Sequence, residues 1–247
     1  MPLNVEALSV VVPVKNEQDN VASLIAEINI ALQGVVHEII YVDDGSTDAT
    51  YATLVNLKQQ YKQLRVVQHV KSCGQSTAVR TGVKHAKYAW VATLDGDGQN
   101  DPADIPKLMM AVTEGVELAG GNRRASRRDT WVKRISSVIA NTVRSKMLRD
   151  DTPDTGCGLK LFSREAFLDL PYFDHMHRFL PALIKRRGGK IVSVPVSHRN
   201  REHGKSNYGT IDRLLVGIVD LFGVAWLQRR AKIPEVKASN FEENKAN

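Results

Sequence analysis

Tyr88-Ala89-Trp90-Val91-Ala92-Thr93-Leu94-Asp95-Gly96-Asp97-Gly98-Gln99 joins an apolar run to two carboxylates set one residue apart. In an α/β protein such a run is a strand leaving its sheet, and ligands bind outside the carboxyl ends of strands. Two carboxylates and the Gln99 amide, on glycine-spaced backbone, are hard oxygen donors suited to a divalent cation. A cation held by so few protein groups has room for the phosphates of a nucleotide. Asp and Gly are also ordinary turn residues, so a surface turn is the competing account of the segment taken alone.

Upstream, apolar β-rich runs alternate with helical patterns. Leu8 to Val14 reads as a buried strand, and Val21, Leu24, Ile25, Ile28 and Leu32 carry helical spacing. Glu38 to Val42 is the next strand and ends in Asp43-Asp44-Gly45-Ser46. Ser46 or Thr47 is placed to cap a helix through Ala52, Leu54, Val55 and Leu57. Arg65 to Val70 is a third strand, and Ser76 to Ala86 a third helix. Strands alternating with helices of this length predict βαβ units and a mainly parallel sheet. Lys15-Asn16-Glu17, Asp43-Asp44 and Asp95/Asp97 then lie on three strand ends of one sheet edge. Carboxylates there can accept hydrogen bonds from ribose hydroxyls or a base edge. Neither GxGxxG nor GxxxxGK[ST] follows any strand, which weighs against a dinucleotide dehydrogenase and a P-loop enzyme.

Downstream, Asp104 to Val112 reads as helix and Val116 to Gly121 as strand. A basic loop follows, from Asn122 through Arg123, Arg124, Arg127 and Arg128, and then a basic helix from Trp131 to Leu148. Lys190 to Val196 is a late strand, placed at an edge or near its end by Pro195. Ile211 to Leu227 is apolar nearly all round and closes in Gln228-Arg229-Arg230; such a surface must be covered, by a partner protomer or by a membrane interface. The polar residues after 230 are expected to be disordered.

The 247 residues are enough for one large domain, and 43% hydrophobic with 25% charged residues is ordinary globular composition. The net charge of +7 points to a phosphate-bearing ligand, a polyanion or an anionic membrane face. Cys73 and Cys157 make no disulfide framework and are expected as free thiols in a reducing compartment. No signal segment opens the sequence, and Asp220 interrupts the apolar stretch from Leu214 to Leu227. The expectation is a cytoplasmic protein, peripheral at the inner face of the cytoplasmic membrane.

VVVPVKNE (10–17), VDDGSTDAT (42–50), LDGDGQNDP (94–102) and HRNREHGKSNYG (198–209), in this order and spacing, resemble family 2 inverting glycosyltransferases of GT-A fold. The closest branch is the dolichol-phosphate mannose synthase type, which moves sugar from a nucleotide to a polyprenyl phosphate. The resemblance spans roughly residues 8 to 210. It implies an α/β, Rossmann-like GT-A domain over 1–208, an amphipathic membrane-interface or dimer helix over 209–230, and a tail over 231–247. It implies that Pro13, Val14, Glu17 and Asp44 line the nucleoside pocket, with Lys71 and Gly74-Gln75-Ser76 beside the nucleotide. Asp95, Asp97 and Gln99 would ligate Mg²⁺ or Mn²⁺, with Asp97, Arg123 and Arg201 taking part in catalysis. Arg123, Arg201, Lys205 and Ser206 would bind substrate phosphate, although Asn207 stands where the family often has Lys. Asp154 to Lys160 matches the acceptor-side segment loosely.

The chemistry agrees with these residue types. Breaking a sugar–phosphate bond builds negative charge on the departing diphosphate, which a cation stabilises as it develops. A polyprenyl phosphate arrives as an anion, already nucleophilic, and needs a cationic cradle; the planar fork of arginine suits phosphate. The expected partners are a GDP- or UDP-sugar, the lipid phosphate, a membrane surface and a possible second protomer. The alternative is a family 2 enzyme with a hydroxyl acceptor, which requires a base carboxylate, for which Asp154 is the candidate. A sugar nucleotidyltransferase would want a glycine-rich basic loop after the first strand, which is absent. Nucleic acid is not expected as a partner, because the basic residues lack interleaved aromatics. His175, His177, His198 and His203 lack the cysteine pattern of a zinc site, and Cys157 is not expected as a nucleophile.

Overall fold

A computed structural model describes residues 5–123, 144–150, 152–200 and 210–232, with side chains of the last segment from residue 216. The basic positions Arg124, Arg127 and Arg128, most of the Trp131 to Leu148 helix, and the motif residues Arg201, His203, Lys205, Ser206 and Asn207 lie outside the described residues, as does the tail after 232.

β1 (Ala7–Val14) runs through the middle of the sheet and is buried on both faces. Its valines suit a strand covered above and below. It pairs in parallel with β2 (Val36–Asp43) over eight positions and with β4 (Trp90–Thr93) over four. β3 (Leu64–Gln68) adds a parallel strand outside β2. Successive β1 side chains point to opposite faces. Leu8, Val10, Val12 and Val14 enter the core beside Val21, Leu24, Ile25 and Ile28 of α1 (Val21–Ala31). Val11 enters the other, with Ala78, Val79 and Val83 of α3 (Gln75–His85). α3 approaches so closely that a Cβ on Gly82 would lie 2.3 Å from Val11 Cγ1.

The helix after β2 starts later than expected. α2 is Thr50–Gln60, and the Asp48 carboxylate, not Ser46 or Thr47, accepts from the Thr50 N–H at 3.0 Å. Ser46 and Thr47 instead lace the tip of β2 to that of β1. Ser46 Oγ accepts from the Asn16 N–H at 2.9 Å, and the Thr47 N–H donates to Asn16 Oδ1 at 2.8 Å. Asn16 takes φ 56°, a left-handed conformation that Asn tolerates better than most residues.

The second half departs from simple βαβ alternation. A 3₁₀ turn, Pro102–Asp104, leads into α4 (Ile105–Met110) and β5 (Val116–Asn122). β6 (Lys160–Ser163) then inserts antiparallel between β4 and β5, giving the order β3-β2-β1-β4-β6-β5-β7. An antiparallel strand begins where its neighbour ends. Lys160 therefore pairs with Thr93, and the loop before it is delivered to the carboxyl end of β4. α5 (Arg164–Leu168) is capped by Ser163 Oγ, which accepts from the Ala166 N–H. α6 (Leu180–Arg186) precedes β7 (Lys190–Pro195), an edge strand parallel to β5 that ends on Pro195, as its sequence predicts. α7 (Thr210–Arg230) packs Val224 and Ala225 against α6 and its surroundings. Among the described residues no helix is long and apolar enough to cross a membrane.

Candidate active site

β1 sends its connections to β2 on one side and, through β3, to β4 on the other, so the switch point lies between β1 and β4. A crevice outside the strand ends is the expected ligand position there. The β1 and β4 tips touch: the Leu94 N–H donates to Val11 O, and a Cβ on Gly96 would lie 2.4 Å from Val14 Cγ1. Gly96 is thus the residue type that lets the acidic loop lie against Pro13 and Val14.

The acid at the β2 tip, Asp44, is buried and fully occupied. Oδ1 accepts from the His69 ring and the Cys73 N–H, both at 2.8 Å; Oδ2 accepts from Ser72 Oγ at 2.7 Å and the Gly74 N–H at 2.9 Å. Burial pushes this carboxyl up, but the four donors outweigh it and hold the pKa below the ordinary carboxylate range. Since the ionised carboxylate only accepts, His69 Nδ1 donates to it, and Nε2 faces Thr81 Oγ1 at 3.0 Å. Asp44 thereby folds the Lys71–Gly74 loop over the sheet edge, with Gly74 at φ 88°. Asp44, His69 and Cys73 come within metal-ligand reach of one another, yet the Asp44 lone pairs are already committed to this loop. Glu17, at the β1 tip, turns to the start of α1: Oε2 accepts from Asn20 Nδ2 at 2.6 Å, and its backbone N–H donates to Thr50 Oγ1.

Asp95 sits half-buried at the β4 tip, beside a small cleft lined by Pro13, Gln75, Gly158, Lys160 and His177. Gln75 Nε2 donates to its Oδ1 at 2.8 Å, and its backbone N–H donates to Asn100 Oδ1. The loop is closed by the Gln99 N–H, which donates to Asp97 Oδ1 at 3.1 Å. Burial, then the neighbouring charge of Asp97, pushes the Asp95 carboxyl above its ordinary range; Lys160, Arg123 and Gln75 pull against them. Gly158 presses on Asp95 so closely that a Cβ there would stand 2.1 Å from Oδ2.

Two cations face this acid, one at the start of β6 and one just past the end of β5. Arg123 is nine-tenths buried and held by Asp154, with Nε donating to Oδ2 at 2.8 Å and one terminal nitrogen to Oδ1 at 3.0 Å. Burial alone would lower the arginine's pKa; the Asp154 hydrogen bonds and charge raise it instead. Asp154 is thus clamped by a cation on both oxygens, a poor arrangement for a general base. Lys160 is buried, and Nζ donates to Cys157 O. Burial holds its ammonium below the ordinary range. His177 closes the back wall: Ser76 Oγ accepts from the His177 N–H at 3.2 Å and is hydrogen-bonded to Nδ1 at 2.7 Å. Burial pushes this imidazole well below its usual pKa, so it is neutral.

Of the residues expected from sequence, the fold brings Pro13, Val14, Asp95, Asp97, Gln99, Gly74 and Arg123 to one sheet edge, and places Glu17, Asp44 and Lys71 along the same edge on the β1 and β2 side. Arg201, Lys205 and Ser206 lie outside the described residues. The chain leading to them is nevertheless docked here, because the Arg199 N–H donates to Gln99 O at 3.0 Å and the Arg199 side chain bridges Asp101 and Glu27. Sequence reasoning gave Lys160 no role beyond the end of a loosely matching segment, and gave His177 none. A single lysine after Cys157-Gly158-Leu159 carries no local pattern, and its importance comes from an antiparallel pairing with Thr93.

Asp95 and Asp97 fit a divalent cation by donor chemistry. They are hard carboxylates that repel one another across a glycine, at a crevice edge where water and phosphate oxygens can complete the coordination. Gln99 carries a further oxygen on the same loop.

The sequence profile of glycosyl transferase family 2 matches residues 9–170, from the start of β1 to the residues after α5. The chain belongs to this family. The dodecaprenyl-phosphate galacturonate synthase of Rhizobium johnstonii is 34% identical over 237 residues, covering 92% of this chain and 69% of that protein. The undecaprenyl-phosphate 4-deoxy-4-formamido-L-arabinose transferase of Edwardsiella ictaluri is 33% identical over 209 residues, 83% of this chain and 64% of that protein. This family 2 glycosyltransferase therefore spans about two thirds of the length of those relatives, and both belong to the polyprenyl-phosphate branch its motifs resemble. Among solved structures, glucosyl-3-phosphoglycerate synthase of Mycobacterium tuberculosis with Mn²⁺, UDP and glucosyl-3-phosphoglycerate has a TM-score of 0.68 at 21% identity, covering 94% of this chain and 82% of that one. The mannosyltransferase PcManGT of Pyrobaculum calidifontis, with GDP-Man and Mn²⁺, has a TM-score of 0.66 at 21% identity, covering 92% and 65%. These likenesses establish the fold, which is GT-A.

Proposed function

We propose that this glycosyltransferase moves a sugar from a nucleoside diphosphate, a GDP- or UDP-sugar, to a polyprenyl phosphate with inversion, using a divalent cation at the membrane surface. The observation that carries the acceptor class is the clamping of Asp154 by Arg123. The carboxylate nearest the acceptor side is neutralised by a buried cation, with Lys160 beside it, so the site offers positive charge where a hydroxyl acceptor would need a base. A phosphate acceptor needs no base, because it arrives deprotonated. The names of both curated relatives, at 34% and 33% identity, point the same way.

In this mechanism Pro13, Val14 and the Asp44-anchored loop with Lys71 and Gly74 hold the nucleoside end of the donor. Asp95, Asp97 and Gln99 would hold Mg²⁺ or Mn²⁺, and the cation would neutralise the departing diphosphate. Gln75, Gly158 and Lys160 fix the Asp95 carboxylate. Arg123, with Arg201, Lys205 and Ser206, orients the incoming phosphate beside the sugar, which lowers the entropic cost of attack.

The test is incubation with radiolabelled GDP-mannose, UDP-glucose or a UDP-uronic acid, decaprenyl phosphate and Mn²⁺. Label is expected in a lipid product that mild acid releases, and Asp97→Asn is expected to abolish it. An acid-stable product, or wild-type transfer by Asp97→Asn, overturns the acceptor class or the cation site respectively.

A further inference from the structure

Asp220 is the acid that interrupts the apolar stretch of α7, and its surroundings reverse the usual order of exposure. Its side chain is 17% exposed, while Val219 and Phe222 beside it are 70% and 62% exposed. A carboxylate placed only to solvate a helix would face water, because covering one without a partner is costly. Its partner is His175, whose Nδ1 lies 3.1 Å from Asp220 Oδ2. His175 Nε2 lies 3.6 Å from Asp174 Oδ2, and the His175 N–H donates to Asp174 Oδ1 at 2.8 Å. Between the two acids His175 holds φ 61°. A non-glycine residue adopts such a left-handed conformation rarely, and keeps it where the surroundings impose it.

The turn fixed in this way grips the start of α3. Tyr172 OH shares a hydrogen bond with Thr77 Oγ1 at 2.6 Å, and the Arg80 guanidinium carbon lies 4.6 Å from the centroid of the Tyr172 ring. Past His175 a 3₁₀ turn, Met176–Arg178, carries His177 to Ser76. Asp174 closes against the same helix end, where a Cβ on Gly74 would stand 3.3 Å from Asp174 Oδ1. α3 has no side-chain hydrogen bond at its N-cap, so these contacts secure its first turn from outside.

That first turn begins with Gln75, whose Nε2 donates to Asp95 Oδ1 at 2.8 Å. A connected path therefore runs from α7 to the β4 tip, through Asp220, His175, the 172–177 turn, the first turn of α3 and Gln75. The contacts of the turn with α3 lie at the helix end beside Asp95 and not along its length. We propose that Asp220 and His175 are positioning residues for the donor site. Their hydrogen bond holds the turn that holds Gln75 against Asp95, and so sets where the Asp95 oxygens stand toward a divalent cation and a diphosphate. The inference rests on Asp95 as a cation ligand, and gives a part in the reaction to two residues that act through others.

The experiment titrates Mn²⁺ into the full chain by calorimetry in the presence of UDP and, separately, of GDP. Asp220→Ala is expected to weaken Mn²⁺ binding about tenfold, the factor that one hydrogen bond carries. Asp220→Asn, whose amide oxygen still accepts from the ring, is expected to stay within about twofold of wild type. His175→Gly keeps the left-handed backbone and removes the ring. It is expected to match Asp220→Ala, and it carries the test should that variant not fold. In a Gln75→Ala background Asp220→Ala is expected to cost nothing further, because Gln75 is the last link. Unchanged Mn²⁺ binding in Asp220→Ala and His175→Gly, an equal loss in Asp220→Asn, or a loss that adds to that of Gln75→Ala overturns the proposal. Amide exchange separates it from the donor-site reading. If the wild type binds Mn²⁺ with neither nucleotide, that reading falls. Faster exchange at residues 75–77 in Asp220→Ala but not in Asp220→Asn then sustains the positioning path, and unaltered exchange overturns it.

Discussion

Replacing Gly158 by alanine inserts a methyl group where Asp95 already sits. The new Cβ would stand 2.1 Å from Oδ2 and 2.3 Å from Cγ of Asp95, whereas ordinary contact begins near 3.4 Å. The backbone at 158 cannot yield easily: Gly158 O accepts from Thr93 Oγ1 at 2.9 Å, and two residues later Lys160 enters the β4–β6 ladder. Asp95 must therefore move, by about 1 Å, and take with it the oxygens proposed to bind the cation. Misplacement on that scale costs on the order of a hundredfold in rate. The expected outcome is a kcat/KM about a hundred times lower in the lipid-phosphate transfer assay, with more Mn²⁺ needed for half-maximal rate. A fall in Tm is also expected, and it should vanish when Asp95→Ala removes the colliding carboxylate, because the two sites interact directly. Retention of activity within threefold, or an equal fall in Tm with and without the Asp95 carboxylate, would show that Gly158 does not position Asp95.

Asp154→Asn is expected to lower the unfolding free energy by about 3 kcal/mol in urea denaturation, since it leaves the nine-tenths buried Arg123 without its anionic clamp; loss of transfer at unchanged stability would instead mark Asp154 as a base and favour a hydroxyl acceptor. Asp44→Asn removes a carboxylate whose pKa is held below the ordinary range. The stability it contributes is fully present above the unfolded value of about 3.9 and is lost as pH falls through the depressed folded value. The stability difference between wild type and Asp44→Asn is therefore expected to be flat near neutrality and to shrink below about pH 4, and a difference independent of pH down to acid unfolding would refute the four-donor account.

The first half of the fold was legible because its signals are strong. β1 and β2 are continuous apolar runs, α1 carries 3.6-residue spacing, and each ends in residues that cannot continue it. β6 was not legible: four residues, Lys160 to Ser163, are too few to establish a period, and their place is set by pairing with β4 some seventy residues earlier. α5 and α6 are similarly short, at five and seven residues. The acids of the site were found because carboxylates at strand ends are conspicuous. Their states were not, since the saturation of Asp44 depends on donors 25 to 30 residues away and the pressure on Asp95 comes from Gly158. The helix cap shows the same limit. Ser46 and Thr47 have the right chemistry for capping, but Asn16, from another strand, competes for them and wins.

The inserted antiparallel strand makes this sheet edge a charge-pairing device. In a purely parallel sheet every strand presents its carboxyl end to the ligand crevice, and an arriving loop starts from the opposite edge. Reversing β6 lets the strand itself start beside Asp95, so that the loop arriving at Lys160 is delivered there instead. Burial then works against both partners: it pushes the Asp95 carboxyl up and the Lys160 ammonium down. Each charge is costly in place, so a ligand that brings its own cation to Asp95 and its own anion to the Arg123–Lys160 side relieves both costs together. A nucleoside diphosphate with a divalent cation, followed by a second phosphate, is such a ligand set. The instability of the charged site and the chemistry proposed for it have one origin, the direction of a four-residue strand.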